Sequence, residues 1–183
     1  MRGLKIAHFL LIFALLAISA GAHAERLISQ NWVVDLNGQK NEAFTANDSK
    51  SSFGVFCSGE KCLFYLHQAL KCDPGTKYSV LMNSQTVSTA LSMECTQIGG
   101  NLFQILDPFE AVLKATQTGE MIGFAVALQS GAFAVTRFSL MGAKPAIERA
   151  LLEAAKSKLR DQKPPLENPQ NTIPKSIPKD IEI

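Results

Sequence analysis

Four cysteines, Cys57, Cys62, Cys72 and Cys95, are the side chains with the widest chemical repertoire in this 183-residue chain. Thiols can ligate a metal, exchange with other disulfides, or close structural bridges. Their spacing, C-x4-C, then nine residues, C, then 22 residues, C, matches no usual zinc module. A redox pair usually reads C-x-x-C at the start of a helix. Here the first pair sits in SSFGVFCSGEKCLFYLH, where apolar residues alternate as in strands. The expected role is therefore structural, with no metal and no cofactor.

The other reactive types form no set. His67 is the one histidine beyond the N-terminal segment. It falls on the opposite strand face from Phe53, Val55, Phe64 and Leu66, beside Leu63 and Tyr65, with no second histidine beyond the N-terminal segment to partner it. Asp107 and Glu110 could form a carboxylate pair. The run Asp107-Pro108-Phe109-Glu110 reads more simply as a capping box with proline at the first helical position. There is no G-x-S-x-G elbow and no phosphate-binding glycine loop. The expectation is a protein that is not an enzyme. A small thiol–disulfide enzyme is the rival from another class.

These residues need a compartment in which bridges persist. MRGLKIAHFLLIFALLAISAGAHA carries Arg2 and Lys5, an apolar run, and Ala22-His23-Ala24 before Glu25. This is the pattern of a signal peptide over 1–24, with cleavage after Ala24. No cysteine follows to take a lipid. Removing 24 of 183 residues leaves 159, with 16 basic and 16 acidic side chains. A net charge of zero gives no electrostatic reason to bind nucleic acid. No later apolar run is long enough to span a membrane. The expectation is an exported protein.

The elements follow from period-two patterns. In QNWVVDL, Trp32, Val34 and Leu36 share a face, giving a first strand that ends at Asn37-Gly38. Residues 38–50 are polar and read as loop. Asn47-Asp48-Ser49 fits a glycosylation triplet, relevant only in a eukaryotic secretory pathway. Folding the next stretch about Ser58–Lys61 sets Cys57 against Cys62, Val55 against Phe64 and Phe53 against Leu66. Taking Asn83-Ser84 as a turn sets Val80 against Val87, Tyr78 against Thr89 and Cys72 against Cys95. Pro74 should interrupt regular pairing near Cys72. Of three possible connectivities, these hairpins favour 57–62 with 72–95.

NLFQIL reads as a short strand, followed by a helix over about 108–117 that stops near Gly119. MIGFAVALQSGAFAVTRFSL gives two apolar strands, 121–129 and 132–140, around Ser130-Gly131. Their near-continuous apolar character predicts central strands covered on both faces. The covering element is the final helix from Pro145, with Ile147, Leu151, Ala155 and Leu159 in one stripe beside Ala150 and Ala154. Residues 161–183 hold five of the eight prolines. They read as a disordered tail after a domain over 25–160. The fold class is mainly β (α+β): a small antiparallel sandwich or barrel-like domain with two helices, stapled by disulfides.

The chain resembles bacterial proteins of the invasion-associated locus B family. The matching features are the leader, Trp32, the pair Cys57 and Cys62, FEAVLKATQTGE, a long apolar strand, and Ser139-Leu140-x-Gly142 leading into a helix through Ala146. They cover about residues 30–152. The chain departs at Ala143, where the family commonly has an aromatic, in the Cys72–Cys95 arrangement, and in its tail. The resemblance implies a secreted or periplasmic, mostly β, disulfide-bearing protein with a role in host-cell interaction, and no catalytic residues. Together these readings predict an exported binding or assembly protein of the bacterial envelope with a protein partner, host or envelope component. An alternative is a periplasmic part of a secretion or envelope assembly.

Overall fold

The computed structural model describes residues 24–128 and 130–161. Residues 1–23 and 162–183 lie outside the described residues, and with them lie the expectations of a signal peptide over 1–24 and a disordered tail over 161–183. Ten strands form one antiparallel sheet. They are β1 (Glu25–Ser29), β2 (Trp32–Asn37), β3 (Lys40–Ala46), β4 (Ser52–Ser58), β5 (Lys61–His67), β6 (Lys77–Ser84), β7 (Ser88–Ile98), β8 (Asn101–Asp107), β9 (Met121–Ala127) and β10 (Phe133–Ser139). Among the described residues two helices complete the fold, α1 (Phe109–Ala115) and α2 (Ala143–Asp161). The strand order is β1-β2-β3-β4-β5-β8-β7-β6-β9-β10.

The sheet curls until its far ends meet through single hydrogen bonds. Trp32 Nε1 donates to the Ser139 carbonyl at 2.9 Å. Asn47 Nδ2 donates to the Arg137 carbonyl at 3.2 Å, while its Oδ1 accepts from the Ser49 and Ser51 amides. The Asn31 amide donates to the Met141 carbonyl at 3.2 Å. Asn47 of the glycosylation triplet thus holds the β3–β4 turn and the last strand together. Gly142 completes the closure. Its φ is +86°, a region open to glycine, and the Ser29 carbonyl occupies the space a Cβ would need.

The inner face is filled by the alternating apolar residues of nearly every strand. Phe53 lies at its centre, with ring centroids of Trp32, Phe64, Phe124 and Phe138 at 5.8, 5.9, 5.1 and 5.7 Å. These spacings lie in the favourable range for aromatic pairs. Helix α1 adds Phe109, 4.8 Å from Phe64, and buries Val112 and Ala115.

The Cys57 hairpin has the expected register, with Cys57 opposite Cys62, Val55 opposite Phe64 and Phe53 opposite Leu66. Several other expectations are corrected. The polar stretch 38–50 is not all loop. It contains β3, whose Asn41, Ala43 and Thr45 face inward. Small and polar inward residues hide a strand from a hydrophobic pattern. The second hairpin turns later, between Ser84 and Ser88, and sets Val80 opposite Leu91 and Tyr78 opposite Met93. Each partner shifts by four residues, an even number, so every side chain keeps its face.

Asp107 does not cap a helix. It is the last residue of β8, paired with Ser92, and extended Pro108 is the N-cap with no side-chain hydrogen bond. β9 and β10 are not central, because β10 ends the strand order. Helix α2 lies over β1 to β5, chiefly β3 and β2, because the Gly142 turn delivers the chain beside Ser29. Its buried stripe is Ala143, Ala146, Ile147, Ala150, Ala154 and Ser157, while Leu159 is 69% exposed. Small alanines let this helix sit close to the sheet.

Phe53→Ala should lower stability by about 3–5 kcal/mol, read from urea unfolding. Phe133→Ala, at a side chain 58% exposed, should change it by less than about 1 kcal/mol.

Candidate functional site

All four cysteines are bridged. Cys57–Cys62 closes the β4–β5 hairpin across six residues of chain, and Cys72–Cys95 ties the β5–β6 connection to β7. Cys57 and Cys95 are fully buried. The second bridge forms even though Cys72 lies outside the β6–β7 ladder. Its connection is also held by bonds between Gly75 and Thr76 and the backbone of Cys95. These thiols are structural members of the fold in this state.

His67 is satisfied: its Nδ1 lies 2.9 Å from the Leu102 carbonyl, and its ring packs 5.0 Å from Phe103. Among the described residues Asp107 and Glu110 share no hydrogen bond. Among the described residues no group of three or more His, Cys, Asp and Glu side chains is arranged to hold a metal ion. Among the described residues no helix is long and apolar enough to cross a membrane.

One titratable pair lies on the outer face. Tyr65 donates to Glu42 Oε1 on the neighbouring part of the sheet, beneath a small apolar cup with Phe56, Leu63, Phe103 and Ile105. Burial pushes the Glu42 carboxyl above its ordinary range, outweighing the opposing effect of the Tyr65 hydrogen bond, and Asp35 adds to the rise. Burial also raises the Tyr65 hydroxyl, with the Glu42 charge adding to it. Both shifts favour the proton-bearing forms of the pair.

A groove of about 630 Å³ runs across the outside of β7, β6, β9 and β10. Its register makes two parallel rows. Ala90, Leu81, Ala125 and Val135 are consecutive cross-strand partners, and so are Ser88, Asn83, Gly123 and Arg137. The first row is apolar, with Leu81 and Val135 each 52% exposed. The second is polar. Gly123 contributes no side chain, so the stem of Arg137 lies over it, Cγ being 3.7 Å from where a Cβ would stand. Arg137 is the sole charged residue lining the groove, and no carboxylate among the described residues pairs with it. Met121 continues the apolar surface along β9.

These groove residues were not legible as a site beforehand, because an apolar strand run reads as core. One signal was present: Arg137 is the lone charge within residues 121–140. Large apolar side chains left in water beside a polar rim are a mark of interaction surfaces.

Fold and surface together define a class: a disulfide-stapled, barrel-like antiparallel module with a solvent-exposed apolar sheet face. Among solved structures, this fold is similar to the crystal structure of invasion associated protein B from Bartonella henselae. The TM-score is 0.53 at 13% identity, covering 73% of this chain and 99% of that one. The resemblance read from Trp32, the Cys57–Cys62 pair and the Ser139–Gly142 turn is thus met by a likeness of fold. No family model matches the chain, and no curated protein matches its sequence.

Two predictions follow from these bridges and this carboxyl group. Chain-entropy arguments assign about 3 kcal/mol to the bridge spanning 23 residues and about 2 kcal/mol to the one spanning five. Replacing Cys72 and Cys95 by serine should therefore cost more in denaturant midpoint than replacing Cys57 and Cys62. For Glu42, a carboxyl raised in the folded state holds its proton more tightly there than in the unfolded chain. Its contribution is undiminished below the ordinary carboxylate range and falls as pH rises through the raised value. Glu42→Gln should accordingly raise the melting temperature at pH 7 more than at pH 4, with the Tyr65 bond kept.

Proposed function

We propose that this chain is an exported, non-enzymatic protein-binding module of the bacterial envelope. Its β7–β6–β9–β10 face would seat an apolar segment of a partner protein, with a carboxylate of that partner at Arg137. The observation that carries this reading is the exposed apolar row Leu81, Ala125 and Val135 beside an unpaired arginine. Apolar area supplies affinity and the single charge sets orientation.

Several features support the setting. Two disulfides suit an oxidising compartment. The segment before Glu25 reads as a signal peptide. The similar structure from Bartonella henselae is called an invasion associated protein, which motivates envelope or host-facing partners. An envelope assembly and a host surface both offer partners of this chemistry.

The test is site-specific photo-cross-linking in the producing cell. A photoreactive residue at Val135 should give a discrete protein adduct, and one at Asp48, on the β3–β4 turn, should not. Arg137→Glu should reduce the Val135 adduct at least about ten-fold, by the cost of setting like charges against each other. Equal adducts from both positions, or insensitivity to Arg137→Glu, would overturn the reading. Protease treatment of intact cells then separates the two settings. Digestion without lysis points to a host-facing surface, and protection until the outer membrane is opened points to a periplasmic assembly.

A further inference from the structure

A second cavity, of about 360 Å³, lies away from that groove, beneath the β5–β6 connection. That volume is in the range of small-molecule sites. Its apolar lining comes from Leu70 of the connection, Met93 of β7, Val126 of β9, Leu128 just beyond it, and the Tyr78 ring. The connection that forms one wall is firmly held. Cys72 is bridged to Cys95, the Gly75 amide donates to the Cys95 carbonyl at 2.7 Å, and the Asp73 amide donates to Tyr78 Oη at 3.2 Å. The cavity is therefore preformed rather than a gap under a loose loop.

Its floor carries a polar group out of place. Gln104 lines the cavity and has no solvent exposure. Its Nε2 approaches the Cys72 sulfur at 3.7 Å, a weak acceptor, and its Oε1 has no hydrogen-bond partner among the described residues. Buried amide oxygens are nearly always satisfied, and an orphan calls for an explanation. At the rim, Lys71 and Asp73 bring opposite charges, so the site has no net formal charge.

We propose that this cavity binds a small neutral amphipathic molecule, with an apolar body between Leu70, Met93 and Val126 and a hydroxyl or amide N–H donating to Gln104 Oε1. The inference is independent of the protein-binding groove, which lies on the outer face of the sheet.

The test uses 1-naphthol, with naphthalene as its counterpart lacking a donor. Each is titrated into the full mature chain and followed by NMR of methyl groups and glutamine side-chain amides. The expected result is saturable one-to-one binding of 1-naphthol, with shifts at Leu70, Met93, Val126 and the Gln104 amide. Gln104→Leu should weaken 1-naphthol about five-fold, the worth of one hydrogen bond, and leave naphthalene unchanged. Leu70→Trp, on the connection rather than in a strand, fills the cavity and should abolish binding of both while unfolding stays cooperative. Non-saturable partition, shifts confined to Leu81 and Val135, or binding that survives Leu70→Trp would each overturn the proposal.

Discussion

The phenyl ring of Phe53 joins the two halves of the sheet. It touches Trp32 and Phe64 from the first half and Phe124 and Phe138 from the last two strands. No backbone ladder connects β2 or β3 to β10, so the curl of the sheet rests on this aromatic packing. Burying such large apolar area is the main favourable term available to the fold. The single hydrogen bonds from Trp32, Asn31 and Asn47 then satisfy carbonyls of the last strand and of Met141 that closure would otherwise strand.

Closing the sheet around one aromatic centre has a consequence for its outside. Helix α2 follows directly from the Gly142 turn and covers the β1–β5 side. Nothing among the described residues covers the outer face of β6, β9 and β10. Leu81, Val135 and Phe133 consequently stand in water. The same geometry that makes the core compact leaves an apolar face exposed.

The disulfides do different physical work. Cys57–Cys62 reinforces a hairpin whose register its apolar pairs already specify. Cys72–Cys95 holds a connection that belongs to no ladder, and so builds a wall where strand pairing would not. The cavity over Gln104 exists because of that wall. A bridge in this position shapes a cavity as well as constraining the unfolded chain.

The Cys72–Cys95 pairing holds although the register that suggested it is shifted by four residues. Local chemistry in the sequence was enough to determine the β-rich class and the Cys57–Cys62 hairpin with its register. Each rests on alternation or on near neighbours, which a linear pattern records. Pairing parity survived even where the β6–β7 turn was misplaced, because an even shift preserves faces. Only the tertiary structure could reveal β3, whose inward Asn41, Ala43 and Thr45 carry no apolar signal. It also decided that Asp107 extends a strand instead of capping a helix, since β7 continues to pair with it. Most of all, it decided which apolar strands become surface. Residues 121–140 look like a buried centre, yet β10 ends the strand order and α2 is drawn elsewhere by its turn. Burial depends on what packs above a strand, and that is set by long-range topology rather than by the strand's own residues.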